Sequence, residues 1–211
     1  FFHGRKQILS DGFFWSNKII FEKHHWYKKR TLLNTRICAI IPARNEEKTI
    51  LKTLNSLKNQ KIKNLEIIVI DDNSSDKTSD IVKNFKKSYK KVDLLSGKKL
   101  PLGWVGKTWA LKQGVDFANK KQYEYYALID SDIILGKNLL TRVTEFISSR
   151  DYVMVSLMAK LNCKSTWEKI LIPAFIFFFQ KLYPFNLVTD NKSSLSAAAG
   201  GFIFCQAKFF R

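Results

Sequence analysis

Asp130 and Asp132 stand one residue apart in YYALIDSDIILG, residues 125–136, where an apolar run gives way to polar side chains. Two carboxylates at that spacing can turn oxygens toward one hard divalent cation. Mg²⁺ or Mn²⁺ is ordinarily held by one or two carboxylates together with the phosphates of a substrate. Eleven aspartates in 211 residues make roughly 0.6 Asp-x-Asp matches expected by chance, so the pair gains meaning only from its surroundings. Three further clusters supply them. Asp71 and Asp72 open DDNSSDKT (71–78) and could accept hydrogen bonds from a base or a ribose, as strand-end acids do in other nucleotide-binding α/β folds; a capped turn is the alternative. PARNEE occupies 42–47. Lys107 follows Gly103 and Gly106 at the start of a helical pattern, where backbone N–H groups, helix dipole and ammonium could together face phosphate. GWVGK is no P-loop, since the Gly-x-x-x-x-Gly-Lys-Ser/Thr pattern is missing.

The elements that must position these groups alternate in type. ICAII (37–41) and LEIIVI (65–70) are short β-branched runs that read as strands buried on both faces, VDLL (92–95) is a weaker strand, and YYALID is a fourth. Between them Ile50, Leu54 and Leu57 fall at helical spacing, with Glu46 and Glu47 expected in the first turn. A second helix carries Ile81, Val82 and Phe85, and a third, after the glycine and proline loop 96–106, carries Leu111, Val115 and Ala118. A further helix fits Leu140, Val143 and Ile147, and Tyr152 to Leu161 reads as another strand. Such alternation predicts an α/β fold with a mostly parallel sheet flanked by helices, in which ligands sit at the carboxyl ends of the strands. PARNEE, DDNSSD and DSD each follow a predicted buried strand, which places all three on one rim.

Lys and Arg outnumber Asp and Glu 36 to 18, a net charge of +18 that suits nucleic acid, anionic lipid headgroups or phosphorylated ligands. The first 36 residues hold eight Lys or Arg interleaved with Phe13, Phe14, Trp15, Trp26 and Tyr27, a mixture that suits a membrane surface. ILIPAFIFFFQ (170–180), flanked by Lys169 and Lys181, is too short to span a bilayer, which needs about 20 residues; a helix in the interface and a buried helix both fit. Cys38, Cys163 and Cys205 lack the spacing of a disulfide framework or a zinc site, and a reducing cytosol follows. His3, His24 and His25 read as solvated loop residues. No signal peptide is legible. The chain starts at Phe1 and stops at Arg211 directly after an apolar stretch, so it reads as incomplete at both ends.

IPARNEEKTILKTLNSL, LEIIVIDDNSSDKT, GKTWALKQG and YALIDSDI, in that order, resemble the motif set of family 2 glycosyltransferases, across about residues 37–147. LPLGWVGKTWAL, IPAFIFFFQKLYPF and SAAAGGFIF look most like the hopene-associated branch, a membrane-linked group. The resemblance implies the GT-A (nucleotide-diphospho-sugar transferase) fold, with a basic aromatic segment at 1–36, a nucleotide-sugar-binding core at 37–164, and an interfacial helix with the start of an acceptor-side region at 165–211. It implies that Pro42, Arg44 and Glu46 line the nucleotide and that Asp72, with Asp71 beside it, reads the base. Asp130 then lies near the ribose, Asp132 ligates the metal of the DxD motif, Lys107 touches phosphate, and Gly200 and Gly201 form a turn near donor sugar and acceptor.

The activity so implied is metal-assisted transfer of a sugar, with inversion, from a nucleoside-diphosphate sugar, expected to be a UDP-sugar, to a hydroxyl of a lipid or glycan acceptor. Its expected place is the cytoplasmic face of a membrane. The family's acidic pair beyond the glycine turn, whose Asp is the general base, does not occur before Arg211; Glu168 and Asp190 do not match it, so no catalytic base is assigned and the chain is expected to bind donor better than it turns it over. Two rivals carry less. A nucleic-acid-binding module would explain the charge, but no recognised motif is present. A nucleotidyltransferase would need a glycine-rich basic loop after the first strand, where PARNEE stands.

Overall fold

The computed structural model describes residues 6–8, 34–149, 152–160, 165–188, 193–195 and 197–210. The three histidines, the N-terminal aromatics Phe13, Phe14, Trp15, Trp26 and Tyr27, Cys163 and Asp190 lie outside them.

Strand β1 (Lys6–Ile8) precedes β2 (Arg36–Ala43), helix α1 (Ile50–Lys58), β3 (Asn64–Asp71), α2 (Thr78–Ser88), β4 (Val92–Ser96), α3 (Gly106–Ala118) and β5 (Tyr125–Ile129). Then come β6 (Ile133–Leu135), α4 (Leu139–Ser149), β7 (Met154–Ser156), α5 (Thr166–Leu182), the short α6 (Phe185–Val188) and β8 (Phe202–Gln206), which ends in a 3₁₀ turn. The main sheet has the order β4-β3-β2-β5-β8-β7, and β1 pairs with β6 in a separate parallel ribbon. β4, β3, β2 and β5 run parallel, while β8 is antiparallel to both β5 and β7.

Both faces of the parallel strands are covered, which explains their unbroken apolar runs. Along β2, Ile37, Ala39 and Ile41 enter the core shared with α1, α2 and α4, whereas Cys38 and Ile40 enter the core under α3. Helix α3 lies so close to the sheet that a Cβ on Gly114 would stand 2.5 Å from Ile40 and 2.6 Å from Ile70. Burial pushes the Cys205 thiol up to about 12. Burial first, and then Glu66, raise Cys38 further still, so neither cysteine carries charge in the neutral range.

Two expectations need correction. Glu46 and Glu47 precede α1 rather than forming its first turn, because Asn45 takes a left-handed φ of 56° and the Glu46 carbonyl closes a turn onto the N–H groups of Thr49 and Ile50. Among the described residues of the strand read over 152–161, Met154–Ser156 form the strand. Strand β8 comes from the 165–211 stretch and lies between β5 and β7.

Candidate functional site

Strand order reverses between β2 and β5: the chain moves outward through β3 and β4, then α3 carries it back to β5 on the other side of β2. Crevices at such reversals, outside the carboxyl ends of the strands, are where open α/β sheets hold ligands. A cavity of about 350 Å³ lies there. It is lined by Pro42, Ala43, Arg44 and Glu46 after β2, by Asp72 after β3, by Gly106, Lys107 and Ala110 at the start of α3, and by Asp130, Ser131 and Asp132 after β5.

The structure therefore brings together seven of the ten residues singled out in the sequence. Lys107 reaches across the cavity to Asp130, Nζ to Oδ1, at 2.5 Å. Arg44 approaches Asp72 at 3.8 Å, long enough to leave the pairing loose. Two glycines let the 97–106 loop press onto Asp72: a Cβ on Gly97 would stand 3.1 Å from its Cα, and one on Gly106 3.3 Å from its Oδ2. Asp71 and Asp72 are separated in role. Asp71 does not line the cavity but accepts from the Ser74 N–H at 3.0 Å and from the Ser79 hydroxyl, so it shapes the loop that presents Asp72. Gly201 touches the site through its backbone, its carbonyl accepting from Asp130 N–H at 3.0 Å, while a Cβ on Gly200 would meet nothing within 4 Å.

The loops after β2 and β3 are laced to each other. Asn45 N–H donates to Ser74 Oγ (3.0 Å), Ser75 N–H to Asn45 Oδ1 (2.8 Å), Glu46 N–H to Thr78 Oγ1 (2.8 Å), and Glu47 N–H to Asp76 Oδ2 (3.0 Å). Desolvation works to raise Asp76, but the Thr78 hydroxyl and the N–H groups of Glu47 and Thr78 outweigh it and hold this carboxyl below its ordinary value. Glu46 accepts from the Thr49 hydroxyl, so its carboxylate braces the loop as well as lining the cavity.

Asp130 and Asp132 fit a divalent ion on the chemistry of the donor set. One or two carboxylates suffice for Mg²⁺ or Mn²⁺ when a diphosphate supplies other oxygens. Among the described residues no group of three or more His, Cys, Asp or Glu forms a cage that could hold a metal without such help. Glu168 is committed elsewhere, its carboxylate accepting from Ser165 N–H (2.8 Å) in the capping box that starts α5. Thr53 and Ser56 on α1, and Gln60 just past its end, escaped the sequence reading. They are buried and bonded to the segment after β5, and the only signal was their helical spacing beside the Ile50, Leu54 and Leu57 stripe.

The model of the family described as Glycosyl transferase family 2 matches residues 38–209. A 4,4'-diaponeurosporenoate glycosyltransferase of Staphylococcus aureus is 34% identical over 118 residues, 54% of this chain and 29% of that protein. Among solved structures, a mannosyltransferase of Pyrobaculum calidifontis in complex with GDP-Man and Mn²⁺ is 16% identical with a TM-score of 0.55, covering 82% of this chain and 45% of that one. Glucosyl-3-phosphoglycerate synthase of Mycobacterium tuberculosis in complex with uridine-diphosphate is 20% identical with a TM-score of 0.54, covering 88% and 63%. The likeness to these two structures is one of fold, the GT-A type. The matched stretches span 39% and 29% of the length of two curated relatives.

Proposed function

Because this chain belongs to glycosyl transferase family 2, we propose that it moves a sugar from a UDP-sugar to a hydroxyl of a lipid or glycan acceptor, with inversion at the anomeric carbon and a divalent cation as cofactor. The observation that carries this reading is the cavity at the β2/β5 reversal, where Asp72, Lys107, Asp130 and Asp132 converge. In this reading Asp72 receives the base, Pro42, Arg44 and Glu46 border it, and Asp130 receives the ribose. Asp132, assisted by Asp130, would hold Mg²⁺ or Mn²⁺, which when bound stabilises the negative charge developing on the departing diphosphate. Lys107 contributes a second positive charge at the α3 N-terminus and must turn from Asp130 toward phosphate as donor enters. The acceptor oxygen attacks in line, its bond to the anomeric carbon forming as the bond to the diphosphate oxygen breaks.

The finer reading includes a membrane surface, and with it the hopene-associated branch and the cytoplasmic face of a membrane. Helix α5 has no buried residue, and Trp167 and Phe178 are 72% and 65% exposed, with Lys169 and Lys181 near its ends. Among the described residues no helix is long and apolar enough to cross a membrane, so α5 would lie in the headgroup boundary, its lysines toward anionic lipid.

Calorimetric titration of UDP, with and without Mn²⁺, tests the donor site. Binding should require Mn²⁺ and should collapse in Asp132→Ala; equal binding by both proteins, or none, would sink the reading. Co-sedimentation with anionic liposomes tests the surface, and a chain that stays in the supernatant would remove the membrane from it.

A further inference from the structure

Three polar side chains, Thr53 and Ser56 of α1 and Gln60 just past its end, are buried, and buried polar groups require partners. All three find them in the backbone that follows β5. Thr53 Oγ1 donates to the Ser131 carbonyl at 2.7 Å, and Leu135 N–H donates to Ser56 Oγ at 3.0 Å. Gln60 donates to the Gly136 carbonyl at 3.0 Å and accepts from Leu140 N–H at 3.1 Å.

Thr53 differs from the other two in what it holds. Asp130 to Ile133 form a tight turn, closed by Ile133 N–H on the Asp130 carbonyl at 3.1 Å. The peptide between the two central residues, Ser131 and Asp132, is the one that rotates when a β-turn passes between its two common types. Its carbonyl is the acceptor of the Thr53 hydroxyl. We infer that Thr53 is a positioning residue: its hydroxyl pins the central peptide of the Asp130–Ile133 turn and so keeps the carboxylates of Asp130 and Asp132 directed into one cavity. The inference rests on the reading of that pair as a metal and diphosphate clamp.

The physical reason is the cost of a buried carbonyl without a donor. In Thr53→Val a methyl replaces the hydroxyl at nearly constant shape, and the Ser131 carbonyl, on a residue that is itself buried, loses its partner. Rotation of the peptide is the cheapest way to seek another, and it swings the Asp132 backbone with it. Ser56 and Gln60 act as internal controls, because their partners lie beyond the turn, in β6 and in the entry to α4.

The test titrates UDP in the presence of Mn²⁺ into the native chain and into Thr53→Ser, Thr53→Cys, Thr53→Val and Ser56→Ala, with thermal unfolding of each. Groups standing behind metal ligands typically set metal affinity by about 10- to 100-fold, so Thr53→Val should lose at least about tenfold in Mn²⁺-dependent UDP affinity. Thr53→Ser should keep native affinity, Thr53→Cys should fall between, and Ser56→Ala should melt earlier yet bind as the native chain does. If Thr53→Val does not fold, the gap between Ser and Cys decides. Native affinity in folded Thr53→Val, or an equal loss in Ser56→Ala, would overturn the inference while leaving the donor site standing. Absence of Mn²⁺-dependent binding by the native chain would overturn both.

Discussion

The paired loops after β2 and β3 and the helix α5 are opposite solutions to the problem of exposed chain. In the loops, the backbone N–H groups of Asn45, Glu46 and Glu47 are each answered by a side chain of the facing loop. Helix α5 caps its own N-terminus through the Ser165 and Glu168 capping box and leaves Trp167, Phe175 and Phe178 in solvent. Side chains that bond across a loop order it at the cost of being available to nothing else, whereas a capped helix stands without packing and keeps its apolar surface for a partner. The donor site is built on the first solution, and the surface that we propose for a membrane is built on the second.

Substitutions can break that contrast, and the largest effect is expected beneath the loops, where α3 presses on the sheet. Gly114→Ala drives a methyl into Ile40 and Ile70 and should cost about 1–3 kcal/mol by chemical denaturation, as overpacking does. A value near zero would mean that α3 can lift off and that the cavity floor is soft. In the loops, Asn45→Ala loses the bond from Ser75 N–H and keeps a left-handed φ of 56° that alanine resists, for an expected loss of about 1–2 kcal/mol. Asn45→Gly relieves the strain without restoring the bond, so it should recover part of the loss. On α5, Phe178→Ser should change stability by no more than about 0.5 kcal/mol and leave UDP affinity unchanged while reducing liposome binding.

A pH series sharpens the contrast at the far end of the sheet. Lys121 bridges Glu66 at 2.8 Å and Asp93 at 3.3 Å, and Tyr123 donates to Glu66 at 2.6 Å. Burial works to raise both carboxyls, but these bonds, with that of Lys86 to Asp93 at 3.1 Å, prevail and hold Glu66 below its ordinary 4.5 and Asp93 below its ordinary 3.8. Lys121, bonded to Glu66 above all, is held above its ordinary 10.5. Carboxyls lowered on folding stabilise the protein above their unfolded values and lose that contribution as pH falls through the folded ones; the raised lysine loses its contribution as pH rises through its folded value. The melting temperature should therefore hold through the neutral range, fall in acid below about 4 and fall again above about 10.5, and Lys121→Met should flatten both limbs. The groups are partly exposed, so the effect is expected to be modest and to shrink with salt.

The parallel half of the fold was legible because strands buried on both faces must be written as continuous apolar runs, as ICAII and LEIIVI are. The rim followed from it, since the polar clusters after those strands could only meet at their carboxyl ends. What stayed hidden depends on distant partners. Phe202–Gln206 became a strand by pairing with Tyr125–Ile129, a choice that no local pattern announces. Asp71 and Asp72 are equal in sequence, and only the facing of Ser74 and Ser79 assigns one to the loop and the other to the cavity. Thr53 looks like a solvent residue until Ser131 is brought above it.

Strand β8 fills the place beside β5 with residues far along the chain, Ile129 pairing with Phe202 and Tyr125 with Gln206. Contacts of such long sequence separation form late and slow folding. During synthesis, β5 must therefore leave the ribosome with one edge unpaired, and it keeps that edge until Phe202 to Gln206 emerge. An open edge of this kind invites pairing with another chain, so a nascent chain halted before Phe202 should be the species most prone to aggregate.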